Sequence, residues 1–129
     1  MYCPTTRHKQ IVVYFQCIVI GHRCDVVANG YLFALFFHNF SSFLGRAGLY
    51  LEDLFVLPEY RGKGCGKGLL RELARIACER GCGRMEWVCL DWNKPSIDFY
   101  LRLKAEPLQD WTIYRLAGET MKDFAESEG

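Results

Sequence analysis

The 129-residue chain has almost no net charge: 16 basic residues stand against 15 acidic ones, leaving +1. That removes any global pull toward nucleic acid or a membrane surface, so a basic patch must be local to matter. Tight cysteine pairs are missing too. The seven cysteines, at 3, 17, 24, 65, 78, 82 and 89, are odd in number and include no CxxC. A zinc site or a secreted disulfide framework would leave such pairs, so reduced thiols in a cytoplasmic protein are expected, with no metal. No internal repeat or low-complexity segment is present. The apolar run Ile11 to Ile20 is too short to cross a bilayer and is interrupted by Gln16. Arg7, His8 and Lys9 before it loosely suggest a secretory leader, but no small-x-small cleavage site follows, and its β-branched residues favour a strand. What the chain does have is apolar bulk. Half its residues are hydrophobic and 15% are aromatic, enough at this length for one folded domain with its own core.

Residues 1–10 carry no period. Ile11 to Gly21 reads as a buried strand, and His22-Arg23-Cys24-Asp25 as a surface turn. Val26 to His38 reads as one long strand with a bulge or kink at Asn29-Gly30. Asn39 to Gly48 is expected to be a loop, and Leu49 to Leu57 the third strand, ended by Pro58. From Gly66 to Arg80, residues Leu69, Leu70, Leu73, Ile76 and Ala77 share one face and Arg71, Glu72, Arg75 and Glu79 the other, which predicts an amphipathic helix closed by Gly81. Arg84 to Asp91 is a fourth strand. Asn93 caps a helix running to about Lys104, with Pro95 in its first turn and Ile97, Tyr100 and Leu101 buried. Trp111 to Leu116 is a last strand, and a short polar helix begins near Glu119. The helical crossover makes strands three and four parallel, and the first three form an antiparallel meander.

The most informative segment is Arg61-Gly62-Lys63-Gly64-Cys65-Gly66-Lys67-Gly68. A strand that feeds a glycine-rich turn at a helix N-terminus makes an anion cradle. Backbone N–H groups are unpaired there, glycine allows close approach, and the helix dipole favours negative charge. A nucleotide P-loop would need glycine where Arg61 stands and a hydroxyl where Gly68 stands. A dinucleotide fingerprint starting at Gly62 or Gly64 would need its third glycine at Lys67 or Leu69. What remains is Arg-x-x-Gly-x-Gly at Arg61, Gly64 and Gly66. The basic residues cluster at this one loop, so no nucleic acid and no membrane partner is expected.

This loop resembles the pyrophosphate loop of the GNAT acetyltransferases. Its flanks, Tyr50-Leu51-Glu52-Asp53-Leu54-Phe55-Val56 and Leu90-Asp91-Trp92-Asn93-Lys94-Pro95-Ser96-Ile97-Asp98-Phe99-Tyr100, resemble the diamine (spermidine/spermine) N-acetyltransferase branch. The resemblance runs from about Val26 to Leu116. It implies an α/β (α+β) acyl-CoA N-acyltransferase fold, with a mixed, mostly antiparallel sheet and flanking helices, and acetyl-CoA as cosubstrate. It also implies a small polyamine or diamine-like acceptor and a homodimer.

It further implies roles for particular residues. Gly62, Lys63, Gly64, Cys65, Gly66, Lys67 and Gly68 would hold the pyrophosphate, with Arg61, Lys63 and Lys67 adding charge. The backbone at Phe55 and Val56 would meet the pantetheine arm and polarise the thioester. Asn93 matches a position near that arm, although its cap role explains it equally well. Tyr100 would face the coenzyme sulfur as acid, and Glu52 would take the amine's proton. Glu52, Asp53 and Trp92 would serve the amine, with Glu52 and Asp53 on opposite faces of their strand. His38, Asn39, Phe40, Ser41 and Phe43 are candidates for the acceptor pocket that no spacing assigns.

The family pattern opens with a strand and two helices that this chain does not show. Residues 1–25 therefore read as an atypical arm with a first strand, and 26–129 as the acetyltransferase domain. One sheet face is then expected to expose apolar side chains that a second copy would cover. The alternatives are a chain shorter than its gene's full product and a coenzyme-binding remnant without catalysis. Within the enzyme reading, the acceptor is alternatively an amino-acid side-chain amine.

Overall fold

The computed structural model describes residues 13–19 and 22–129. Strands β1 (Val13–Val19), β2 (His22–Asn29), β3 (Leu32–Ser41) and β4 (Arg46–Val56) form an antiparallel meander, and β5 (Met85–Glu86) pairs parallel to β4. Helix α1 (Cys65–Glu79) is the crossover between β4 and β5. Helices α2 (Lys94–Arg102) and α3 (Gly118–Glu126) follow. The chain divides into two compact units, 1–88 and 89–129.

In the first unit the parallel crossover and the meander are as expected, but the strand boundaries are not. The long strand read across Val26 to His38 is a hairpin. Asn29 pairs with Leu32, so only Gly30 and Tyr31 connect β2 to β3. The Asn-Gly pair is a turn signal here and not a bulge. Ser41 pairs with Arg46, so the expected loop 39–48 shrinks to a four-residue turn, 42–45. The expected surface turn at 22–25 is strand, and Asp25 is 2% exposed. Its carboxylate takes Arg80 Nη1 at 2.7 Å and lies 3.8 Å from His38 Nδ1. A buried carboxylate needs such partners. This one ties the end of α1 to β2 and β3.

The core lies between the sheet and α1, which packs on β3 and β4. Leu32, Ala34 and Phe36 of β3 and Leu49, Leu51 and Val56 of β4 are buried, as are Leu69, Leu70, Leu73, Ile76 and Ala77 of α1. The 3.6-residue period of α1 selects that face, and Gly81 at φ 71° ends the helix with Cys82 N–H on the Ala77 carbonyl. The opposite sheet face carries Phe33, Leu35, Phe37, Tyr50 and Phe55, all partly or fully exposed. Cross-strand aromatic pairs line it: Phe33–Phe55 at 5.8 Å and Phe37–Tyr50 at 5.1 Å between ring centres. Cys65 is buried and joined in a disulfide, which corrects the expectation of reduced thiols at that position; Cys78, Cys82 and Cys89 are free.

In the second unit α2 starts at the expected cap but buries no residue completely; Ile97 and Tyr100 are half-buried and Leu101 is exposed. The strand expected at 84–91 is only Met85–Glu86, which belongs to the first unit, and in the second none forms at 111–116. No helix among the described residues is long and apolar enough to cross a membrane.

Candidate active site

The glycine loop and α1 form as their sequence requires. Gly62 (φ 73°) and Gly64 (φ 82°) both adopt left-handed backbone, where a Cβ would be strained. Gly64 is the N-cap and no side chain caps α1; the first helical bond is Gly68 N–H to the Gly64 carbonyl, at 2.9 Å. A first turn without a side-chain cap presents its N–H groups and the positive end of the helix dipole. At Gly62 and Gly66 an added Cβ would meet nothing within 4 Å, so the backbone is open to a ligand there. Arg61, Lys63 and Lys67 are exposed around it. Arg61 has a second duty, since its Nε donates to the Val56 carbonyl at 2.9 Å and pins the loop to the end of β4.

The strand leading into this loop is irregular at one place. Leu35 pairs with Asp53 while the next residue, Phe36, pairs with Leu51. Glu52 is therefore an extra residue, a β-bulge. The side-chain alternation is reset across it. Leu49 and Leu51 face the core before it, and Val56 does so after it. Strict alternation, which put Glu52 and Asp53 on opposite faces, does not hold across a bulge; both are exposed. The pairing of β4 with β5 ends at Tyr50–Glu86. From Leu51 to Val56 the β5 side of β4 has no ladder partner among the described residues. That stretch contains Glu52, Asp53, Phe55 and Val56.

Tyr50 was not among the residues that the sequence singled out. Its phenol is pushed above the ordinary value, first by burial and then by the charges of Glu52 and Glu86. It stands where β4 and β5 part, a position that only the observed register reveals. Also hidden was the ring pair Tyr31–Tyr60, 4.4 Å between centres, which joins the β2–β3 turn to the segment just before Arg61.

The second unit carries the other candidates. Asn93 caps α2, its Oδ1 accepting from Ser96 N–H at 3.4 Å. Trp92, just before it, is 78% exposed. Tyr100 lies on α2, half-buried, its ring 5.5 Å from that of Phe99. Burial first, and the neighbouring Cys89 second, raise its phenol pKa.

The sequence profile described as the Acetyltransferase (GNAT) family matches residues 19–104. The chain belongs to the GNAT family. An L-ornithine N5-acetyltransferase of Arabidopsis thaliana is 44% identical over 98 residues, covering 76% of this chain and 42% of its own length. A thialysine N-epsilon-acetyltransferase of Sus scrofa is 38% identical over 121 residues, covering 87% of this chain and 69% of its own. An integron cassette protein from the mobile metagenome of V. cholerae superposes with a TM-score of 0.73 at 28% identity, covering 81% of this chain and 67% of its own. This GNAT chain thus spans between two fifths and about seven tenths of the length of these relatives.

The candidate site consists of a helix N-terminus that no side chain caps, joined to a bulged strand whose β5 side has no ladder partner among the described residues. Among the described residues no cluster of His, Cys, Asp and Glu is suited to hold a metal ion. The described chemistry is carboxylate, phenol, backbone N–H and loop cations.

Proposed function

We propose that this GNAT chain is an acetyl-CoA-dependent N-acetyltransferase acting on a primary amine of a small substrate. The observation that carries the reading is the continuous path from the open edge of β4, through Phe55 and Val56, into the α1 N-terminus that no side chain caps. Such a path suits a ligand with a polar amide arm and a pyrophosphate at its end.

In the proposed reaction the amine must first lose a proton, because an alkyl ammonium with a pKa of ~10.4 is protonated at neutral pH. Glu52 accepts that proton or passes it to water. The nitrogen attacks the thioester carbonyl, and the C=O electron pair moves onto oxygen. A backbone N–H at Phe55 or its neighbours stabilises that oxyanion. Collapse breaks the C–S bond and expels the thiolate, which Tyr100 meets with its phenolic O–H, while the attacking nitrogen gives up its second proton to solvent to leave the neutral amide. An alkyl thiol has a pKa of ~8.5 and a phenol one of ~10, so full transfer from Tyr100 runs uphill by roughly 2 kcal/mol or more. The main contribution of Tyr100 is thus a hydrogen bond to the developing thiolate, with solvent completing the protonation.

The relatives refine the acceptor. Ornithine and thialysine both offer a side-chain primary amine on an amino acid. We favour that class over a free polyamine, with Glu52 and Asp53 supplying attraction for the cation and Trp92 an exposed wall. In this reading Asn93 would serve the coenzyme arm in addition to its cap. Thiol release measured across an amine panel tests both the reaction and the acceptor class; equal rates with and without amine would overturn the reading.

A second reading, a coenzyme-binding domain without turnover, is favoured by one observation. Residues 111–116 form no strand, and Trp111, Ile113 and Tyr114 are 72%, 69% and 92% exposed. Calorimetry with CoA, set beside the thiol assay, separates the two readings.

A further inference from the structure

Both loop cations beside the left-handed glycines rest on aromatic rings. The Arg61 guanidinium carbon lies 5.6 Å from the centre of the Phe55 ring, and Lys63 Nζ lies 5.7 Å from that of Tyr60. The ring beneath Lys63 is itself held. Tyr60 stacks on Tyr31 with 15° between the planes. Tyr31 is 5% exposed, and its carbonyl accepts the Leu57 N–H at 2.8 Å. A row of contacts therefore runs from the β2–β3 turn, through two stacked rings, to an ammonium beside the anion-binding turn.

A lysine on a flexible stem surrenders rotamer freedom when it binds a phosphate. An ammonium already resting on a fixed ring has surrendered part of that freedom in advance. The ring occupies one side of the ammonium, which leaves donors on the other side for phosphate oxygens.

We infer that Tyr60 is a positioning residue for phosphate recognition: stacked on Tyr31, it holds the Lys63 ammonium in place for a phosphate of coenzyme A at the loop. The inference rests on the coenzyme A reading above. Tyr60 touches no reacting atom; it acts through Lys63.

The test is a double-mutant cycle read as the Kd of CoA by calorimetry, with kcat measured in parallel. Tyr60→Leu is expected to weaken CoA about threefold to fivefold with kcat unchanged, and Tyr60→Phe to bind as the wild type does, because the ring face is kept. In a Lys63→Met background, Tyr60→Leu is expected to add nothing further. Three results would overturn the inference: Tyr60→Leu keeping its full effect without Lys63, Tyr60→Phe binding as poorly as Tyr60→Leu, or Tyr60→Leu having no effect. Should circular dichroism show that Tyr60→Leu does not fold, Tyr60→Trp serves in the same cycle. It is expected to bind CoA more tightly than the wild type only while Lys63 is present, and an equal gain in Lys63→Met, or no gain with Lys63 present, would overturn the inference. A wild-type chain that binds no CoA removes the coenzyme A reading and this inference together. A wild-type chain that binds, with no coupling between Tyr60 and Lys63, removes the inference alone.

Discussion

Tyr100 and Glu52 divide the proposed chemistry between them, and each makes its own prediction. Replacing Tyr100 with Phe removes one donor and little volume, so kcat should fall about 100-fold while CoA affinity stays within about twofold. The raised phenol pKa fixes the sign of the pH effect. The group is protonated across the neutral range and ionises only above its ordinary value of 10.0, so wild-type kcat should fall only at strongly alkaline pH. The Tyr100→Phe variant should lose that alkaline limb, and a stopped-flow pH series checks it. Glu52→Gln should lower kcat by about 10²-fold or more at pH 7 and recover part of it as the pH approaches the pKa of the amine. A flat pH profile for Glu52→Gln would take the proton-accepting role away from that residue. At this scale the sequence was informative about which residue types matter and uninformative about how they point. The expectation that Glu52 serves an amine rests on its neighbours in the sequence. Its place as the extra residue of a bulge could not, since bulges of this kind need no particular residue type.

Helix α1 was readable almost to the residue because its signals are local: a 3.6-residue apolar period, glycines at its start and Gly81 at its end. The strands were less so. Asn29-Gly30 is the one local signal inside Val26 to His38, and whether it makes a bulge or a hairpin turn depends on which residues pair across it, a non-local fact. β5 shrank to two residues because a strand lasts only as far as its ladder does, and its pairing with β4 ends at Tyr50–Glu86, just before the bulge. Two predictions belong to elements. Gly64→Ala forces an L side chain into φ 82° at the cap of α1. It should cost about 1–2 kcal/mol in urea unfolding and weaken CoA as well, with Gly64→Asn milder on both counts because asparagine tolerates that region. Leu73, fully buried on α1, should cost about 2–5 kcal/mol as Leu73→Ala, a large share of the 5–15 kcal/mol that ordinarily holds a domain folded.

For the whole molecule, the apolar content that argued for a folded domain also leaves large side chains uncovered. Phe43 is 89% exposed, and so in good part are Trp111, Ile113, Tyr114 and Phe124. Exposed surface of this kind supports association of two copies, and light scattering should give twice the chain mass at micromolar concentration, where a monomer would speak against it. The family was legible because its marks are written in contiguous stretches, above all Arg61 to Gly68. The acceptor was not, because an acceptor pocket is assembled from distant segments. The most direct test of the account incubates the purified chain with acetyl-CoA and, in parallel, L-ornithine, thialysine and spermidine, following thiol release and the mass of the amine. The account predicts thiol release that depends on the amine, matches N-acetylated product mole for mole, and is fastest with ornithine or thialysine. Coenzyme A binding with no amine-dependent thiol release from any of the three would contradict it.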